Sequence, residues 1–541
     1  MKKITLLLTL FTCIYGNAQW TDDTTINTPV ATSNTEDVSA IGTSDGKTYV
    51  VFWKVVPEPV NYELRVQLLD TSGNKQFGSD GLLVSNTIPM STNTYVSKIT
   101  TDTANNLYIG VTASEDNSAH IFKINTSGDS LWGSDGISPG TGFLPTVLPL
   151  ATGDVIICYW PGSQKAIIQK YTSDGTSVWD NPVSVVSTNA SSATIPADLF
   201  EMSNHDFMLV FHTKIGFGIS SNLYAQKYDL EGVPQWSSAL QLSDNGTVYN
   251  TAYSCVQQGD VVYYGYSSSQ ISRFDSYLQR INADGTLPWG INGIDFDTNQ
   301  DNYEMDTKIA SEAASPYIWA ICRYMPSGQD SAGEYVQKFA KDTGERQLTD
   351  SAKEIFPIDS NKTHAGNLYV VNDRPVFTFT TGFDNGSSPI TLNAAILTTD
   401  GDIALDTHIP VATLAASKSN IAFTGIHNGQ GVVVFRESKT EGESKAYAQN
   451  FTSPLLLGVS TYTPSNTITL YPNPSNNVIT VGSRDLIKSL KVYDAQGRMI
   501  ESHSGTNEST DTVNVSAWNA GTYFLKIETP TGTVNRKFIK G

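Results

Sequence analysis

The sequence predicts an all-β chain made of repeated four-stranded units, followed by a second, smaller β domain. Three observations predict it. A frame of strand, glycine turn and large apolar side chain returns seven times, the runs between are apolar and bounded by turn residues, and the style of the sequence changes after Phe451. Composition agrees, since only 16% of residues are charged and 10% are aromatic, which suits turn-rich strands better than helices.

The first element is a leader. MKKITLLLTLFTCIYGNAQ has a lysine-rich start, an apolar run from Ile4 to about Ile14, and Gly16 and Ala18 at −3 and −1 from a cut between Ala18 and Gln19. This pattern predicts a secretory signal peptide over residues 1–18. Lipidation at Cys13 is the alternative, but LFTC lacks the small residue expected just before such a cysteine. No later apolar run approaches the roughly 20 residues that span a bilayer, so the sequence predicts an exported chain without a transmembrane segment. The mature chain keeps Cys158, Cys255 and Cys322, an odd number without paired spacing, expected to be buried free thiols.

The repeat comes next. The turn glycines are Gly73, Gly128, Gly175, Gly232, Gly285, Gly344 and Gly401, 47 to 59 residues apart. Four positions after each stands Phe77, Trp132, Trp179, Trp236, Trp289, Leu348 or Leu405. Each period has room for a hairpin such as ADLFEMSNHDFMLVFHT, a third strand such as YAQKY, and a fourth beyond the glycine turn. Four antiparallel strands per unit is the blade of a β-propeller. After Gly401 an eighth hairpin and third strand follow, but TSPLLLG replaces the turn and tryptophan. Trp20 lies 57 residues before Phe77, one more repeat, so the N-terminal strand is expected to complete the last blade. The expectation is an eight-bladed ring over residues 19–451, with seven blades the alternative, closed so that no sheet edge stays open. Trp20, Phe77, Trp132, Trp179, Trp236 and Trp289 are read as blade-packing residues.

In FAKDTGERQL and YDLEGVPQW the frame resembles the repeat of PQQ-like, quinoprotein-type eight-bladed propellers, with an acidic turn, a glycine and a docking tryptophan. The resemblance covers about residues 20–451 and implies fold only. The adjacent cysteine pair found in quinone-dependent alcohol dehydrogenases is missing, and TSDGTSVW departs from the sialidase box SxDxGxTW.

The last element follows a linker over 452–467. Residues 468–541 read ITLYPNPSNNVITV, IKSLKVYDAQGRMIES and TVNVSAWNAGTYFLKIETPTGTVNRKFIKG, which predicts a small immunoglobulin-like β-sandwich. Tyr471, Pro472, Asn473 and Pro474, the turn at Gly497, the AGTYFLKI segment with Gly521, and the KFIKG close with Lys537 resemble the type A sorting domain of the type IX secretion system in Bacteroidetes. That resemblance implies export across the outer membrane by the type IX machinery, followed by release or attachment at the cell surface.

The net charge of −19 is spread along the chain and excludes neither glycan nor protein ligands, but it argues against nucleic acid. HExxH, Walker, GxSxG and paired CxxC motifs are missing from the sequence. Asp295, Asp297, Asn299 and Asp301, at alternate spacing and followed by Glu304 and Asp306, offer hard oxygen ligands that suit calcium, whereas a plain acidic loop between blades is the competing reading. Tyr159, Trp160, Tyr263, Tyr264, Tyr266 and Tyr317 are candidates for sugar stacking that packing between blades also explains. The expected function is a secreted or surface-displayed, non-enzymatic module that binds glycan or protein. The alternative is a secreted carbohydrate-active enzyme with carboxylates at the pore.

Overall fold

The computed structural model describes residues 20–541 except 58–59, 89–94, 114, 163–164, 186, 188–191, 215–219, 249–252, 271–272, 383–388, 441, 457–467, 484–485, 506–507 and 530–531. The expected signal peptide, its Ala18–Gln19 cut and most of the expected linker lie outside the described residues. The chain forms two compact units that divide between Gly458 and Val459. Strands dominate both, and the described helical structure is one 3-10 turn at Pro454–Leu456.

The first unit is a succession of antiparallel sheets. The first contains Thr35–Gly42, Thr48–Pro57, Val60–Leu69 and Leu82–Ser85, in that order. The same order recurs from Tyr95–Thr101 to Ile137–Thr141, from Phe143–Pro149 to Val183–Ser184, from Ala193–Glu201 to Leu240–Gln241, from Ser254–Gln258 to Ile294–Asp295, and from Tyr303–Ala310 to Lys353–Asp359. The second strands are apolar without alternation, as in Val155–Trp160, because neighbouring sheets cover both faces.

The remaining strands follow one path. Ile409–His427 is 19 residues long. Its first part pairs with Pro389–Ile396 as the outer strand of one sheet, and its second part pairs with Gln430–Ser438 as the inner strand of the next. Lys445–Thr452 follows, and beyond it Thr28–Pro29, with Thr28 opposite Ala448 and Pro29 opposite Tyr447. Val30 N and Thr35 N donate to Ala446 O and Ser444 O and extend this pairing. The N-terminal segment is thus the outer strand of the last sheet. Trp20, Val30, Val38, Val50, Val434 and Ala448 share one buried cluster at this seam.

The second unit has a three-stranded sheet, Thr469–Tyr471, Val478–Gly482 and Thr510–Asn514, and a four-stranded sheet ordered Met499–Ser504, Ser489–Asp494, Gly521–Thr529 and Gly532–Lys540. Ile479, Val481 and Val513 from the first meet Leu490, Val492, Leu525, Ile527 and Phe538 from the second in a common core.

Candidate functional site

The repeated frame is a set of inter-sheet contacts. Each turn glycine has φ between 75° and 92°, a left-handed conformation suited to glycine. Each also faces the large apolar side chain of the preceding repeat. A Cβ on Gly73, Gly128, Gly175, Gly232, Gly285 or Gly344 would lie 2.7 to 3.2 Å from Trp20, Phe77, Trp132, Trp179, Trp236 or Trp289 respectively, and one on Gly401 would lie 3.1 Å from Leu348. The indoles add a hydrogen bond to the same turn, from Trp20 to Thr71 O (3.0 Å), Trp132 to Ser173 O (3.1 Å), Trp179 to Leu230 O (3.1 Å) and Trp236 to Ala283 O (3.3 Å). At the next junction Arg280 Nη1 donates instead to Lys341 O (2.8 Å), and the Trp289 indole nitrogen is buried without a partner among the described residues.

A buried glutamine row, which the sequence reading did not single out, supports these aromatics. Gln67, Gln226, Gln279, Gln337 and Gln449 are each at most 2% exposed. Their Nε2 atoms donate to Gly78 O, Trp236 O, Gly290 O, Thr349 O and Thr21 O. Gln169, slightly more exposed, donates to Trp179 O (3.0 Å). Each acceptor is the apolar residue of the frame or the residue after it, so Gln449 treats Trp20 as the aromatic of its own repeat. The signal was present in the sequence as a glutamine six or seven residues before five of the seven glycines, Gly128 and Gly401 being the exceptions.

The predicted acidic cluster is partly assembled. Asp295 ends the outer strand of the fifth sheet, Asp297 follows it, and Glu304 lies on the inner strand of the sixth. One oxygen from each of these three lies within 4.8 Å of the others. Asp301 is not among these three carboxylates, and Asn299 Oδ1 accepts the Asp301 N–H at 2.9 Å. Asp306 is engaged elsewhere, in an ion pair with Arg323 at 2.6 Å. Glu304, which follows the alternate-spaced run in sequence, takes the group's third place from the first strand of the next sheet.

The group is built in. Asp297 accepts from Asn299 N (2.7 Å) and Tyr324 Oη (2.5 Å), and Arg346 Nη2 holds the loop through Asp295 O (2.7 Å) and Asp297 O (3.1 Å). Arg273 pairs with Asp275 and with Glu304 (3.2 Å). Asp295 Oδ1 is buried without a hydrogen-bond partner among the described residues. Burial, then Asp275, pushes Asp295 up to about 6, and burial followed by the charges of Asp297 and Asp295 pushes Glu304 well above the carboxylate range. The carboxylates of Asp295, Asp297 and Glu304 are hard oxygen ligands of the type that suits a cation such as calcium.

A second polar group stands on the inner strands, where a bulge interrupts the register before Lys98 and again before Asp198. Lys98 pairs with Asp198, which also accepts from Tyr264 Oη at 2.6 Å. Cys255 lies beside them, and burial pushes its thiol up to about 12. Cys158, Cys255 and Cys322 are all free; Cys158 and Cys322 are buried and Cys255 is half-buried.

Of the candidate stacking aromatics, Tyr159, Tyr263, Tyr264 and Tyr266 are buried, and Tyr317 carries Lys338 Nζ at 4.3 Å from its ring centre. Trp160 is half-buried and pairs with Phe143 at 6.0 Å between ring centroids. Phe274 and Tyr303 form a similar pair at 5.6 Å, and Tyr95 is 36% exposed. All five stand at the strand ends opposite the glycine turns, since antiparallel order puts first-to-second and third-to-fourth turns at one end and the other connections at the opposite end. At the turn end of the seam there is a cavity of about 390 Å³, bordered by Gly42, Gly46, Lys47, Tyr369, Thr424 and His427.

In the second unit, Tyr471, Pro472, Asn473 and Pro474 are exposed, and Asn473 Oδ1 accepts the Ile539 N–H at 2.9 Å, tying this loop to the last strand. Gly497, at φ 78°, closes the turn whose Asp494 carboxylate accepts from Gln496 N and Arg498 N. Gly521 pairs with Lys540, and Lys537 is exposed opposite Phe524.

Residues 469–541 match the family model of the secretion system C-terminal sorting domain. This tail marks the protein for type IX export to the cell surface or the medium, and no helix among the described residues is long and apolar enough to cross a membrane. No curated protein matches the chain. Among solved structures the chain is similar to a polysaccharide lyase of family PL25, an ulvan lyase (11% identity, TM-score 0.42, 78% of this chain and 95% of that one), and to the polysaccharide lyase Uly1 (11%, 0.41, 78% and 99%). It is also similar to prolyl oligopeptidase B from Galerina marginata (13%, 0.40, 75% and 55%). Likenesses this distant carry no functional argument.

Proposed function

We propose that the first unit is an eight-bladed propeller, closed by its own N-terminal strand, that the type IX system exports as a binding module for glycan. The observation that carries this reading is the difference between the two ends of the sheets. The turn end is uniform and held by the glycine–aromatic contacts and glutamines. At the other end stand the half-exposed aromatics Tyr95, Phe143, Trp160, Phe274 and Tyr303. Rigid sheets with aromatic faces at one end suit recognition of sugar rings. The second unit is read as an immunoglobulin-like sandwich that carries the export signal.

The test is retention of the exported chain on a panel of immobilised polysaccharides, with released sugar measured in parallel. Retention without release, weakened about fivefold by Trp160→Ala as expected for a stacking contact of about 1 kcal/mol, supports the reading. Retention by proteins alone would replace glycan with a surface protein as ligand. A second reading, a carbohydrate-active enzyme, is favoured by the Lys98, Asp198 and Tyr264 group on and beside the inner strands. It requires released sugar that Lys98→Met abolishes.

A further inference from the structure

The four-stranded sheet of the second unit has one face in the core and one outside. Leu490, Val492, Tyr523, Leu525, Ile527 and Phe538 point inward and are at most 8% exposed. Their neighbours point outward, and pairing aligns them. Met499 stands opposite Tyr493, Tyr493 opposite Phe524, and Phe524 opposite Lys537, so one row crosses all four strands. Met499 is 60% exposed and Phe524 43%, with Ile539 at 44% one step along the last strand. An outward face of an alternating strand is normally polar. A contiguous apolar row on it is costly in water and marks a surface that something covers.

The charges on this face say what kind of surface. Lys491 and Lys526 pair in the next row and Lys537 ends the apolar one, against Glu528 alone. The whole matched tail, 469–541, has eight Lys and Arg against six Asp and Glu, a net +2, whereas the rest of the chain is net −21. The face therefore fits an apolar groove rimmed by carboxylates. A sorting signal must be legible on the folded unit, and core residues are hidden from any receptor. The partner that has to handle this unit is the export machinery its family match implies.

We propose that the row Met499–Tyr493–Phe524, with Lys491, Lys526 and Lys537 beside it, is the surface by which the folded tail docks on an acidic-rimmed apolar groove of a type IX component. The inference rests on the export reading. It is tested in a bacterium that carries the type IX machinery, by following the full chain in periplasm, at the cell surface and in the medium. The proposal expects the double variant Met499→Glu, Phe524→Glu to lower the exported fraction at least tenfold with periplasmic accumulation, Lys491→Glu, Lys526→Glu, Lys537→Glu to lower it severalfold, and Phe524→Leu to leave it unchanged. Protease resistance and circular dichroism of each purified variant must match the parent chain. Export of the folded double variant at the parent level overturns the proposal. So does loss of a dimer, seen by light scattering of the parent chain and absent in the double variant, with export unaffected, since a second copy is then the occupant. If deletion of 469–541 leaves export unchanged, the export reading itself fails, a result distinct from either.

Discussion

The indole of Trp179 and the α-carbon of Gly232, 53 positions apart in sequence, touch so closely that a Cβ at Gly232 would sit 3.0 Å from Trp179 Cη2 and 2.7 Å from Val183 Cγ2. The Trp179 Nε1–H also donates to Leu230 O in the same turn. One contact thus fixes both the turn and the approach of two sheets.

Gly232→Ala meets two obstacles at once, φ of 78° and the occupied space, and is expected to cost about 2–3 kcal/mol. Trp179→Ala should cost about 2 kcal/mol, less than a fully buried tryptophan, because the ring is half-buried. Trp179→Ala removes the ring that the new Cβ strikes, so the double variant is expected to fall short of the sum. Denaturant unfolding of the four proteins reads the coupling, and strict additivity would separate turn from ring.

At the seam, Gln449→Leu removes the donor to the part-buried Thr21 O, an expected loss of about 1 kcal/mol. Deleting residues 20–34 should do more, because strand Lys445–Thr452 then loses its outer neighbour and exposes an unpaired edge. Light scattering during refolding should show association of the truncated chain and none of the parent.

On the strand that passes between two sheets, Lys418 pairs across to Glu437 of the neighbouring strand at 2.9 Å, with both side chains fully buried. Lys418→Met should cost about 3–5 kcal/mol, because Glu437 stays buried with only Lys439, at 3.3 Å, to balance it. Lys418→Met together with Glu437→Leu is expected to recover most of that loss in the same unfolding assay.

The acidic group predicts a pH dependence with a definite sign. Asp295 and Glu304 have folded pKa values above their unfolded ones, so their stabilising contribution is full below about pH 4 and is lost as pH rises through the folded values. For Asp295 that window is about pH 4 to 6, and Glu304 extends it upward. With a chelator present, the melting temperature should fall from pH 5 to 7. Millimolar calcium should flatten that fall by replacing the proton, and Glu304→Gln should remove the calcium effect while keeping the fold. A melting temperature indifferent to calcium at pH 7 would leave the group a proton-holding inter-sheet contact.

How much of this could be read in advance follows from which interactions are local. The glycine turns, the aromatic four positions on, the apolar second strands and the YPNP tail are short-range patterns, because turn chemistry and strand burial act over a few residues, and they alone foretold an all-β chain with a sorting tail. Even the return of the N-terminal strand was legible, since Trp20 keeps the repeat spacing. What only tertiary structure decided is which distant groups meet. Glu304 meets Asp295 and Asp297 because it arrives from the neighbouring sheet, Lys98 finds Asp198 a hundred positions away because bulges re-aim both, and Met499, Tyr493 and Phe524 become one row only through strand register. Sequence spacing reports the neighbours of a residue along its own strand, whereas charge pairing, cation sites and docking faces are made across strands and sheets, where register and packing set the distances.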